Sequence, residues 1–294
     1  MSNIEIRDLQ QNTPEWLAFR QNCIGASDAP IIMGASPWTT PYQLWQQKLG
    51  LLPPIEENDA MRRGKEKEEV ARQEFIKLKG INMNPCVAKN LTYPFLCASL
   101  DGAYLQYHSH GAQVRWAVEI KVPGRQDHES AMDGVIPEKY TWQLLQQMIV
   151  CDLQSIFYFS WNETSNNIIE FHRDEAMEKT YLPKAKEFWD CVQNLKEPPL
   201  CDRDYVNKDD DVEWWEASRI WKEAKENREG WEQRERDYRQ KLLELAGDQC
   251  CQGNNVRLTK YMVRGRIDNE AVFKDYGVDK EKYRKSNTIA WRVS

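Results

Sequence analysis

Six residues, Ala117-Val-Glu-Ile-Lys-Val122, restrict the possible architectures more than any other stretch of the chain. In an extended strand, successive side chains leave opposite faces. Val118, Ile120 and Val122 therefore share one face, and Ala117, Glu119 and Lys121 the other. The apolar face demands a partner layer, so the strand belongs to a sheet covered on at least that side. The second face sets a carboxylate and an ammonium two residues apart. Taken alone, that is a solvated strand face with an ion pair; beside a second acid, it is half of a site.

The second acid lies in Ala98-Ser-Leu-Asp101-Gly102-Ala-Tyr104. Asp-Gly is a favoured hairpin turn, so Asp101 is expected on a turn that leads forward to the strand of Glu119. Antiparallel pairing would then bring the two carboxylates together. Two carboxylates and a strand carbonyl form an oxygen set suited to Mg²⁺, a cation that keeps several of its waters. Lys121 beside them would orient an attacking water and lower its pKa.

Two helices carry further candidates. From Met61 to Leu78, Gly64, Ala71, Phe75 and Leu78 form a stripe at helical spacing with Glu68 at its edge. A carboxylate there needs a partner or a metal, because burying it alone is costly. Glu66 and Glu69 point away from the stripe and are expected on the surface. From Pro137 to Val150, Tyr140, Gln143 and Gln147 share a face that adjoins Leu144, Met148 and Cys151. They are either a polar rim on a packed helix or a row of groups facing a phosphate or nucleophilic water.

The bulk properties narrow the remaining classes. With 294 residues, 41% hydrophobic and 29% charged, the chain can bury one substantial core and a smaller second one. A net charge of −6 argues against non-specific coating of nucleic acid but permits a confined basic channel. The eight cysteines include no CxxC pair, which fits neither zinc nor an iron–sulfur cluster, and reduced cytosolic thiols are expected. The four histidines show no HExxH or Cys/His grouping. His108 and His110 are expected in the loop between the catalytic strands, and His128 in the loop after Lys121. There is no P-loop. MSNIEIRDLQ lacks a basic stretch leading into an apolar core, and no apolar run is long enough to span a bilayer, so neither a secretory leader nor a membrane partner is expected.

A boundary is read at Glu197-Pro-Pro-Leu-Cys-Asp-Arg-Asp204 and the acidic run Asp209-Asp-Asp211, which divides the chain into residues 1–200 and 201–294. From about Val212 to Leu245 the sequence is proline-free and rich in Glu, Lys, Arg and Trp. Ala217, Trp221, Ala224, Trp231, Tyr238, Leu242 and Leu245 follow alternating three- and four-residue steps, with Arg228 and Glu235 at the two polar positions. This predicts a long helix, or a hairpin bent near Gly230, with an imperfect coiled-coil seam. An exposed face bearing Trp221 and Trp231 would be adhesive, so the seam is expected to pack on the preceding domain or on another subunit. Asn255–Gly265 and Thr288–Val293 are expected as short strands around a small helical piece.

The ordered set Gly64-x-x-x-Glu68, Ser99-Leu-Asp101-Gly102, Glu119-Ile-Lys121-Val-Pro123 and Pro137-x-x-Tyr140-x-x-Gln143 resembles the YqaJ-type viral recombinases. That family includes the lambda-type exonucleases of the PD-(D/E)xK nuclease superfamily. Trp16-Leu-Ala-Phe-Arg20, Ile24-Gly-Ala-Ser27-Asp and Tyr42-Gln-Leu-Trp45 extend the likeness from about residue 13 to 195.

The resemblance implies a restriction-endonuclease-like α/β core, with a central mixed sheet flanked by helices, and a 5′-to-3′ exodeoxyribonuclease acting on linear double-stranded DNA. It implies that Asp101 and Glu119 bind Mg²⁺, with Mn²⁺ able to substitute and the Ile120 carbonyl as a further ligand. Glu68, Lys121 and Gln143 would assist, and Arg20 and Ser27 would hold the 5′-phosphate; Tyr140 and Gln147 are the DNA contacts that the helix face offers. On residues alone, Arg20 also reads as a helix-surface residue and Ser27 as an N-cap. A homo-oligomeric ring such as a trimer, a single-strand annealing protein as partner, and a phage or prophage origin with action in the bacterial cytoplasm belong to the same implication. A structure- or site-specific endonuclease, or a non-catalytic recombination-assembly protein on this fold, are the alternatives.

Overall fold

The computed structural model describes residues 3–52, 59–108 and 111–285 and divides the chain into two units, Met1–Val206 and Asn207–Ser294. The first unit contains, in order, β1 (Ile4–Arg7), α1 (Pro14–Gln21), α2 (Ala29–Ile32), α3 (Pro41–Lys48) and α4 (Asp59–Lys79). There follow β2 (Asn84–Asn90), β3 (Cys97–His108), β4 (Gly111–Lys121), α5 (Arg125–Met132), α6 (Glu138–Cys151), β5 (Ser155–Trp161), β6 (Asn166–His172) and α7 (Glu175–Gln193). Helix starts carry the expected local chemistry. Thr13 and Thr40 cap α1 and α3, each followed by proline at the first position, and Asp174 caps α7.

The six strands form one sheet in sequential order. Every pairing is antiparallel except β4 with β5, which is parallel, so the sheet is mixed. The parallel pair needs a crossover, and α5 and α6 supply it. Helix α6 packs on β2 to β5, with α7 beside it, around a core that includes Ala98, Ala117, Leu144, Leu145, Met148 and Tyr181. Helix α4 packs on β3 and β4, and a second cluster there holds Ala71, Phe75, Met83, Val118, Ile120 and Phe159. The alternation along 117–122 thus sorts as its period requires. Its polar face is not solvated, however: Glu119 is buried.

Several local expectations give way to tertiary context. Asp101-Gly102 is not a turn but lies inside β3, where Gly102 pairs with Val118. A Cβ on Gly102 would come within 2.8 Å of a Val118 methyl and 3.2 Å of the Met83 Cβ. The glycine is there for close packing. Leu78 is exposed, so the stripe on α4 ends at Phe75. His128 lies in α5 and is buried between the hydroxyls of Ser160 and Ser165, each 2.8 Å away. His108 is the last residue of β3 rather than a loop residue; His110 falls outside the described residues.

In the second unit, α8 (Val212–Ala246) runs unbroken through Gly230, so the bent hairpin does not form. Asp211 caps it by accepting the Trp214 N–H at 3.1 Å. A two-stranded hairpin follows, β7 (Cys251–Gly253) with β8 (Val256–Leu258). Asn254 and Asn255 both adopt left-handed φ values, 46° and 62°, the conformation a two-residue hairpin loop requires. The strand expected over Asn255–Gly265 is therefore only three residues long, and its partner precedes it. The small helical piece is α9 (Asn269–Asp275); Thr288–Val293 lies outside the described residues. Among the described residues, no helix is long and apolar enough to cross a membrane.

Candidate active site

Strands β3 and β4 bring the acids together. Continuing their register one step beyond Gly102–Val118 sets Asp101 opposite Glu119. There the Asp101 side chain itself takes a place in the ladder, its Oδ2 accepting the Ile120 N–H at 2.8 Å. Glu119, 2% exposed, receives three donors: Lys121 Nζ at 2.5 Å and Gln143 Nε2 at 2.6 Å on Oε1, and Gln147 Nε2 at 2.5 Å on Oε2. The Gln143 amide oxygen also faces Lys121 Nζ at 3.4 Å, and that ammonium lies 5.0 Å from the centre of the Tyr140 ring. Tyr140, Gln143 and Gln147, one face of α6, thus converge on the Glu119–Lys121 pair.

Charge in this cluster is unevenly balanced. Burial pushes the Asp101 carboxyl well above the usual carboxylate range, and Glu119 and Glu68 push it further. The Glu68 carboxyl is likewise raised by burial, with Arg72 opposing. Burial would lower Lys121, but Glu119 and Asp101 outweigh it and hold the ammonium above its ordinary range. Crowded acids whose mutual repulsion suppresses ionisation are the field that a bound cation relieves. Among the described residues, no three His, Cys, Asp or Glu side chains are grouped to hold a metal. Asp101 and Glu119 are the two carboxylates that could hold a cation here, and Ile120 lines the same cavity. A carboxylate has about four lone-pair positions, so Glu119 retains room on Oε2 beside its three donors.

Arg20 and Ser27 line the same cavity, of about 1130 Å³, as Asp101, Glu119, Lys121, Glu68, Gln143 and Tyr140. Arg20 Nη2 donates to Ser27 Oγ at 2.7 Å and pairs with Asp28 at 3.1 Å. Its guanidinium lies 4.9 Å from the centre of the Trp16 ring. Beneath it is Gly25, where a Cβ would stand 2.7 Å from Nη2. Ser27 does not cap α2; Asp28 occupies that position.

Other groups, packed behind the residues that line the cavity, had no strong local signal. Asp28 is buried, accepts the Gly25 N–H at 2.9 Å and pairs with Lys48 at 2.7 Å. Burial would raise its pKa, but Lys48 and Arg20 bring it below the ordinary value. Lys48 also donates to the Arg20 and Cys23 carbonyls. Buried Arg72 donates to the Asp101 carbonyl at 2.7 Å and lies 3.5 Å from Glu68, tying α4 to β3. Its position one turn after Glu68 was the available clue; Lys48 had none, since its partners are 20 or more residues away. The Ser99 hydroxyl, two residues before Asp101, accepts the Trp16 indole N–H at 2.9 Å.

Residues 15–154 match the YqaJ-like viral recombinase domain. The uncharacterized protein YqaJ of Bacillus subtilis is 26% identical over 189 residues, an alignment covering 62% of this chain and 57% of that protein. The crystal structure of LHK-Exo in complex with dAMP superposes with a TM-score of 0.53 at 24% identity, over 63% of this chain and 94% of that one. The alkaline exonuclease LHK-Exo from Laribacter hongkongensis gives 0.50 at the same identity and coverage. The first unit thus has the restriction-endonuclease-like fold, a mixed sheet flanked by helices.

Proposed function

We propose, from the match of residues 15–154 to the YqaJ-like viral recombinase domain, that the protein is a metal-dependent exodeoxyribonuclease. It digests linear double-stranded DNA from the 5′ ends and leaves single-stranded tails for recombination. The observation that carries this reading is one cavity holding both the Asp101–Glu119–Lys121 cluster and the Arg20–Ser27 pair. The first is equipped for phosphodiester hydrolysis, and the second for recognising a terminal phosphate.

Asp101, Glu119 and the Ile120 carbonyl hold Mg²⁺ in this reading, with Mn²⁺ as a substitute. The cation supplies Lewis-acid charge to the phosphoryl oxygens. Lys121, an ammonium with three N–H donors, orients the attacking water. Gln143, bonded to Glu119 and facing Lys121, fixes the spacing of that pair. Glu68 adds negative charge at the edge of the site, and Arg72 holds it. Tyr140 borders the strand being cut, whereas Gln147, expected as a DNA contact, is fully buried and bonded to Glu119 and the Ser99 carbonyl, so it positions the carboxylate instead. Arg20 spends Nη2 on Ser27 and Asp28, which leaves the rest of its planar fork to a phosphate. Assembly as a ring around the duplex belongs to the same reading, and light scattering of the full chain tests it.

Linear duplexes labelled at either end, with and without Mg²⁺, test the activity. Release of 5′ label first, faster from 5′-phosphate than from 5′-hydroxyl ends, is expected, and Arg20→Ala should erase that preference. Cutting of a covalently closed plasmid would instead establish an endonuclease.

A further inference from the structure

Trp38 lines the cavity that holds the catalytic acids, yet 70% of it is exposed. The segment carrying it is firmly held. Ser36, Thr39 and Thr40 are buried around it. Ser36 Oγ accepts the Trp38 and Thr39 N–H groups at 3.3 Å each. Arg203 donates to the Ser36 and Pro37 carbonyls at 3.2 and 3.1 Å, and the Thr40 hydroxyl bonds to Asp204. Thr40 in turn caps α3. A large apolar ring presented to solvent from so fixed a backbone has little freedom left to lose when a ligand covers it.

The ring is also the outer member of a row. Lys139 Nζ lies 5.0 Å from the Trp38 ring centre and 5.5 Å from that of Tyr140. On Tyr140, in turn, stands the catalytic Lys121 at 5.0 Å. Asp127 pairs with Lys139 at 2.7 Å and fixes its position. Alternating rings and cations match a nucleic-acid strand, whose bases stack on aromatic faces while its phosphates meet positive charge. A concave cavity of about 1130 Å³ takes such a strand, whereas a flat protein surface could not reach the ring and the acids together.

We propose that Trp38 is a stacking platform for a nucleobase of the strand being cut, within a few nucleotides of the scissile phosphate. The assignment rests on the nuclease reading above and adds to it a contact with a base. Stacking of this kind favours an unpaired base over one within a duplex, because only the former offers its face.

Trp38→Ala should raise KM on linear duplex about 5- to 150-fold, the loss expected for one base–aromatic stack, with kcat changed far less. Trp38→Tyr should restore most of the loss. Abasic nucleotides placed singly at successive positions from the 5′ end supply the decisive arm. At one position the wild type should lose the same factor, while Trp38→Ala loses nothing further. Binding of 5′-labelled single-stranded DNA without divalent cation, read by fluorescence anisotropy, should show the same Trp38 dependence. If that binding depends on Trp38 but no DNA is hydrolysed, the nuclease reading fails and the platform stands. An unchanged KM in Trp38→Ala, or a loss that no abasic position removes, would overturn the platform.

Discussion

Helices α4 and α8 are written in nearly the same alphabet, dense in Glu, Lys and Arg, yet they lead opposite lives. Helix α4 presses Ala71 and Phe75, both 0% exposed, onto the sheet and turns Arg72 and Glu68 toward β3. In α8 no residue is buried among those described, and Trp214, Trp215, Trp231 and Tyr238 stand in solvent. Its visible support is local: the Asp211 cap and i,i+4 pairs such as Arg219–Glu223, each worth a few tenths of a kcal/mol up to about 1. The contrast teaches that charge density does not decide whether a helix carries a site. A partner layer does, because it turns a polar residue at the stripe's edge into a desolvated one.

The largest effect should come where α4 meets β3 and β4. Asp101→Ala or Glu119→Ala is expected to lower the hydrolysis rate by roughly a hundred- to a thousandfold or more, the scale for losing preorganised charge at a reacting phosphate. Single-turnover digestion of labelled duplex measures it, with circular dichroism confirming the fold. Full activity in either variant would remove the site from β3 and β4.

The comparison sharpens in stability. Phe75→Ala opens a cavity in a closed cluster and should cost about 3–5 kcal/mol. Trp231→Ala, at a position 66% exposed, should change stability by no more than about 0.5 kcal/mol. Urea unfolding of both variants, in dilute protein, reads the difference. A large loss in Trp231→Ala would show that the seam is covered in solution.

A smaller effect is expected at Asp28, whose ion pair with Lys48 is buried while Arg20 is partly open to water. Asp28→Asn leaves Lys48 without its carboxylate and should cost about 3 kcal/mol near neutral pH, the low end for breaking a buried pair. The folded pKa is depressed, so this stabilisation is present above the unfolded value of about 3.9 and disappears as pH falls through the folded value. Thermal melts of the wild type and Asp28→Asn should therefore converge in acid. A gap that persists there would point to lost packing rather than charge.

The strand at 117–122, the helix over 61–78 and the face Tyr140–Gln143–Gln147 were legible because side-chain period is a local property. The Asp-Gly dipeptide misled, because its glycine serves the approach of Val118 and Met83, a contact no neighbouring residue announces. Lys48, Arg203 and Trp38 escaped for the same reason. What gives each its meaning is a partner distant in the chain: Asp28, Ser36 or Lys139.

From its residues alone, then, this chain determined the alternation that buries Val118 and Ile120 while aiming Glu119 and Lys121 into one cavity, and the order of acids along it. Tertiary structure decided which charges face one another: Arg72 on the Asp101 carbonyl, three donors on Glu119, and Lys48 on Asp28 and the Arg20 and Cys23 carbonyls. Period and spacing repeat within a few residues and survive in any context, whereas desolvation exists only once a second layer of the fold has closed over the first.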